Sequence, residues 1–209
     1  MDIIKKYFVD LTAKQESQLT ALQELYTDWN SKINLISRKD IDNLYEKHIL
    51  HSLGIAKVLR FSDRTTVLDV GTGGGFPGIP LAILFPKVQF LLLDSIGKKI
   101  KVAEDIARQT GLENVECRHA RVEDEKRTFD FIVSRAVMPL NDLLKVARKN
   151  IDRKQQNALP NGFICLKGGD LQEEIKPFKN KVVEYLLSDY FEEEFFMTKK
   201  VIYLPVYSH

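Results

Sequence analysis

The segment Val67-Leu68-Asp69-Val70-Gly71-Thr72-Gly73-Gly74-Gly75-Phe76-Pro77-Gly78-Ile79-Pro80-Leu81 constrains the fold more than any other part of the chain. An apolar run carries an acid near its end, a glycine-dense turn follows, and a helical pattern opens at a proline. Glycine adopts backbone conformations closed to other residues and lets a ligand approach the main chain. Pro77 suits a first helical turn, where its missing N–H is no loss. A second apolar run, Val88 to Leu93, closes on Asp94. Strand, glycine turn, helix and acid-ended strand together build a nucleotide-sized crevice at the carboxyl ends of parallel strands.

The alternation continues downstream. Strands are predicted at Thr66–Val70, Val88–Leu93, Val115–Ala120, Phe129–Ser134 and Gly162–Lys167, with helices at Pro77–Leu84, Lys98–Thr110 and Asn141–Asn150. Such βαβ order gives an α/β fold, a mostly parallel sheet covered by helices on both faces. Val182–Leu187 and Lys200–Val206 read as a closing C-terminal antiparallel hairpin at one sheet edge. Upstream, Leu19, Leu22, Leu25, Tyr26 and Trp29 recur at helical spacing, and a second helix is predicted over Ile41–Leu59 with Asp40 as its cap. Residues 1–62 are therefore expected to form a helical N-terminal extension packed on the core, and residues 63–209 the main domain.

The 209 residues suit one ordinary domain, and a net charge of +2 points to no class of partner. Lysines and arginines are denser between Lys98 and Arg127, either a solvated face or an edge facing nucleic acid. Cys117 and Cys165 sit in strand-like runs and read as buried free thiols of a reducing compartment. No spacing suggests zinc, no apolar run approaches the length of a membrane span, and charges interrupt the amino terminus from Asp2 onward. A cytoplasmic location follows as an expectation.

Two cofactors fit the turn. Gly73 to Gly78 satisfies G-x-G-x-x-G, a weak match to a dinucleotide site. S-adenosylmethionine, which has no phosphate, is the other. A carboxylate at Asp69 facing the crevice would repel a pyrophosphate and suit a sulfonium or an amino group, although a strand-end cap is its plainer role. Gly71 and Gly73 would admit the cofactor, Asp94 would hold ribose hydroxyls, and Val122 and Glu123 would meet an adenine edge. Arg135, ending the fourth strand, can bond a guanine O6, a phosphate or a methionine carboxylate. It can equally hold the extension by a salt bridge. Lys167, ending the fifth strand, is a candidate for steering a phosphate. His48 and His51, i and i+3, lack further metal ligands; His48 is either packed or in contact with substrate. Trp29 reads as core.

The chain resembles the RsmG (GidB) family of bacterial small-subunit rRNA guanine-N7 methyltransferases. The resemblance rests on Leu68 to Gly73 and Phe76 to Leu81, with Leu93-Asp94-Ser95, Gly97-Lys98-Lys99, Arg121-Val122-Glu123, Ser134-Arg135-Ala136 and Leu166-Lys167-Gly168. Upstream, Trp29-Asn30, Asn34-Leu35-Ile36-Ser37 and Lys47-His48-Ile49-Leu50 with Ser52 also match. It implies a Rossmann-like class I methyltransferase fold. It implies methylation of one guanine at N7 in a 16S rRNA loop near the decoding region, with Gly71, Phe76, Val122, Glu123 and Arg135 contacting S-adenosylmethionine. The implied partner is the small ribosomal subunit, with no membrane and no stable protein partner, and a monomer is expected. His51 stands where the family commonly has Asp, and Gly74 occupies a variable turn position.

Overall fold

The computed structural model describes residues 1–206. Two helices open the chain, α1 (Asp2–Tyr7) and α2 (Ala13–Lys32). Thr12 and Gln15 close a reciprocal capping box on α2. The Gln15 amide also donates to the carbonyls of Ile83 and Leu84, tying this end of α2 to the core. The helix predicted over residues 41–59 is broken into short turns: Arg38–Ile41, a π-type turn Tyr45–Leu50, His51–Leu53 and Ile55–Val58. Ser37 rather than Asp40 caps the first of these, its hydroxyl accepting the Asp40 N–H.

The remainder alternates: β1 (Thr66–Val70), α3 (Gly78–Leu84), β2 (Gln89–Asp94), α4 (Gly97–Gln109), β3 (Val115–His119), β4 (Phe131–Arg135), α5 (Leu140–Ala147) and β5 (Gly162–Gly168). Strands β6 (Val183–Leu186) and β7 (Lys199–Pro205) complete one sheet in the order β3-β2-β1-β4-β5-β7-β6. The first five strands are parallel, and β7 runs antiparallel between β5 and β6. Gly162 permits that insertion, since a side chain there would lie 2.3 Å from the Leu204 carbonyl.

Side chains alternate between the two sheet faces. Val67, Phe90, Leu92, Phe131, Val133 and Ile164 join one apolar cluster, whereas Leu68, Leu91, Leu93, Ile132 and Phe163 join the other. The first cluster takes in α3, α4 and the buried residues Ile4, Leu19, Leu22, Tyr26, Leu44 and Leu53. Burial of each such side chain contributes about 1.5–3 kcal/mol. The apolar core thus runs unbroken from the extension into the sheet. Both faces being covered leaves the strand ends as the place for a site, and the carboxyl ends of β1, β2 and β4 converge there.

Candidate active site

A cavity of about 500 Å³ opens at those ends, walled by Gly71, Asp94, Val122, Glu123 and Arg135 among others. Its floor is the glycine turn. Gly71, Gly73 and Gly75 have φ of +68°, +59° and +111°, the region glycine tolerates best. At Gly71 the constraint is double, because an added Cβ would stand 2.5 Å from Val137 Cγ2 on the opposite wall. Ala136, beside it, holds a left-handed φ of +51°.

Four of the turn's donors bond within the protein. Gly75 and Phe76 give their N–H groups to the Thr72 carbonyl, Gly78 to Asp69 Oδ2, and Gly73 to Asp94 Oδ2 at 2.7 Å. A pyrophosphate would need such donors free, so the dinucleotide reading loses its anchor. Asp94 Oδ1 accepts from Ile96 N–H at 2.8 Å, so both its oxygens are fixed at the cavity wall with lone pairs left for vicinal hydroxyls. Val122 offers buried apolar surface, and exposed Glu123 stands next to it. These walls fit a nucleoside, with Gly71 and Gly73 against it, and Arg135 fits a carboxylate.

Asp69 is a correction. Its expected position facing the crevice is not found: Asp69 shares the sheet face of Val67, which α3 covers. Its Oδ2 accepts from the Thr72 hydroxyl at 2.7 Å and from Gly78 N–H at 2.8 Å, while Oδ1 is buried without a partner. Burial pushes its carboxyl up to about 7. Asp69 caps the first turn of α3 and holds the glycine turn from beneath. Lys167 is a second correction. Its ammonium donates to the Met138 carbonyl at 2.6 Å and pairs with Glu174 at 2.8 Å, so it braces the segment after β4 instead of facing solvent phosphate.

Arg135 lines the cavity, half-buried, with its guanidinium 4.9 Å above the Phe76 ring. Phe76 lies behind that wall, stacked on Tyr26 with ring centres 4.6 Å apart. His48 also lies behind it, its Nδ1 accepting from Arg135 Nη2 at 3.0 Å. His51 is buried beside Phe195 and Phe196, its Nε2 unpartnered. Burial and the Arg135 charge pull both histidines down to about 3, so both are neutral near pH 7.

Sequence reasoning missed the residues that hold the turn from the extension. Tyr26 donates its hydroxyl to the Gly74 carbonyl at 2.8 Å. Leu35 packs so closely that a Cβ on Gly74 would lie 2.4 Å from it, which makes Gly74 a contact and not a free position. Asn30 Oδ1 fixes that connector by accepting from Leu35 and Ile36. The available signals were a tyrosine on an apolar helical stripe and the family match at Asn30 and Leu35, neither of which pointed to the turn. Trp29 is half-buried and donates to Asp105 on α4.

The basic edge is partly self-neutralised. Arg118 and Arg127 pair with Glu116 and Glu125, and Arg108 with Asp105. Lys99 and Arg121 remain at the cavity rim. Among the described residues no helix is long and apolar enough to cross a membrane, and no acid, histidine and cysteine cluster could hold a metal.

Comparison with known proteins agrees with this geometry. The fold is that of Rossmann-like methyltransferases. A solved SAM dependent methyltransferase from Aquifex aeolicus matches with a TM-score of 0.55 at 18% identity, covering 82% of this chain and 100% of that one. An rRNA methylase from Streptococcus thermophilus matches with a TM-score of 0.52 at 12% identity, covering 76% and 95%. Relatives called "Ribosomal RNA small subunit methyltransferase G" include one from Bacteroides thetaiotaomicron, 66% identical over 99% of this chain and 100% of its own length. Another, from Cytophaga hutchinsonii, is 54% identical over 99% and 100%. The family profile described as GidB, rRNA small subunit methyltransferase G, matches residues 15–200. On these grounds the chain belongs to the rRNA small subunit methyltransferase G family.

Proposed function

We propose that the chain transfers a methyl group from S-adenosylmethionine to N7 of a guanine in 16S rRNA of the small ribosomal subunit. The observation that carries this reading is the nucleoside-sized cavity whose turn spends the Gly73 and Gly78 amides on Asp94 and Asp69, in a chain of this family. When bound, S-adenosylmethionine supplies an electrophilic methyl carbon on a cationic sulfur. Asp94 would accept from its ribose hydroxyls, Val122 and Glu123 would flank adenine, and Arg135 would pair with its carboxylate.

Guanine N7 carries an in-plane lone pair and no hydrogen, so its attack needs no general base. The residues need only align the two reactants and shape the field. Other methylation chemistries fit less well. Burial pushes the thiols of Cys117 and Cys165 up to about 12, which keeps them protonated and poor nucleophiles. At the end of β4 the chain reads Ser134-Arg135-Ala136-Val137, without the Pro-Pro-aromatic signature of exocyclic-amine methylation.

The substrate surface in this reading is the cavity rim at Lys99 and Arg121, continued by Lys98 and Lys101 on α4. Phosphate contacts supply affinity, and an unstacked base enters the cavity mouth. The test is transfer of labelled methyl to small subunits lacking the modification, followed by mass mapping of 16S rRNA. One guanine gaining a methyl group at N7 is expected. Transfer to another atom, or none, overturns the reading.

A further inference from the structure

Arg135 is a cation with an incomplete set of partners. No described carboxylate touches it; Asp69 acts on it only through space, its oxygens turned into the glycine turn. Of the five N–H donors on a guanidinium, one reaches the Lys47 carbonyl at 3.4 Å and one reaches His48 Nδ1 at 3.0 Å. The rest have no hydrogen-bond partner among the described residues, and Arg135 lines the cavity wall. The Phe76 ring lies 4.9 Å from its central carbon, which limits where the guanidinium sits but does not aim its donors. Rotation is set by the acceptors, and both come from the π-type turn of the extension.

Resting on the proposed cofactor site, we infer that His48 is a positioning residue: its neutral Nδ1 fixes the rotation of Arg135 so that the remaining donors face the carboxylate of the cofactor. An arginine nitrogen always donates, so Nδ1 must accept and the ring proton must sit on Nε2. Protonation would remove that acceptor and set two cations together; burial keeps the ring neutral. The π-type turn brings a backbone carbonyl and this ring to the same guanidinium, and such turns are frequent at functional sites.

Two substitutions separate this from simple packing on Phe76, where the rings lie 5.2 Å apart. His48→Asn keeps an acceptor at the position of Nδ1 and loses ring surface. His48→Leu keeps apolar bulk and loses the acceptor. Binding of adenosylhomocysteine is measured by calorimetry, with kcat and KM on small subunits and thermal melts to confirm folding. His48→Leu is expected to weaken binding by about tenfold, the scale of one hydrogen bond to a charged group. His48→Asn is expected to stay within about threefold of the wild type. In an Arg135→Lys background, adding His48→Leu should cost little more, because the two act as one unit. Folded variants with the reverse order, equal losses or no loss overturn the inference. A wild-type chain that binds no adenosylhomocysteine instead overturns the cofactor reading beneath it.

Discussion

Asp69→Asn isolates the energetic cost of the acid beneath the glycine turn. In the fold, burial raises the Asp69 carboxyl from its ordinary value of 3.8 to about 7. An acid raised in the fold binds its proton more tightly there than in the unfolded chain. Its contribution is therefore most favourable below its unfolded pKa and is lost as pH rises towards the folded value. The full difference is about 4 kcal/mol at about 1.4 kcal/mol per pKa step. Between about pH 5 and pH 8 the loss is roughly 2.5 kcal/mol. Asparagine cannot ionise, and its oxygen can accept the bonds from Thr72 and Gly78. Its amide then takes the place of the unpartnered Oδ1, at a cost of about 1–3 kcal/mol that pH does not change. Urea unfolding of both proteins gives the assay. Relative to the wild type, Asp69→Asn should gain roughly 2.5 kcal/mol between about pH 5 and pH 8. His48 and His51, depressed in the fold, act in the opposite sense as pH falls below their unfolded values, but they are common to both chains and cancel in the difference. A stability difference flat with pH would refute the reasoning, since Asp69 would then titrate alike in both states.

Three further outcomes are expected. Gly71→Ala places a Cβ against Val137 at φ +68°, so stability measured by urea unfolding should fall by about 1–3 kcal/mol and adenosylhomocysteine binding by calorimetry should weaken at least about tenfold. Lys99→Gln with Arg121→Gln should reduce the slope of log affinity against log salt for small subunits by about 2, as measured by filter binding at several salt concentrations. Lys167→Met breaks a mostly buried ion pair with Glu174 and the bond to Met138; it should lower stability by about 1–3 kcal/mol while leaving that salt slope unchanged, since the lysine faces protein and not phosphate.

The sheet was legible because its central strands are apolar on both faces; Thr66–Val70 matches expectation, and Gln89–Asp94 differs from it by one residue at each end. The turn was legible from its glycines. Asp69 was misjudged by reading position along the strand without counting faces; alternation from Val67 places it under α3. Lys167 was misjudged because its partner Glu174 comes from a later loop, and no local spacing encodes that meeting. The basic edge looked stronger than it is for a related reason. Glu116 and Arg118 share one face of β3, and Arg127 folds back onto Glu116 and Glu125. The broken second helix was hidden because apolar periodicity does not distinguish a π-type turn from an α-helical one. The link from His48 to Arg135 spans residues far apart in the chain, and only tertiary packing creates it.

The glycine turn has a consequence for exchange of ligand. Its Gly73, Gly75, Phe76 and Gly78 amides bond within the protein and Tyr26 anchors it from the extension, so the protein's own bonds define its contour. Entry and departure then require no refolding of this bend, and the vacant and filled enzymes should differ there by occupancy and hardly at all by shape.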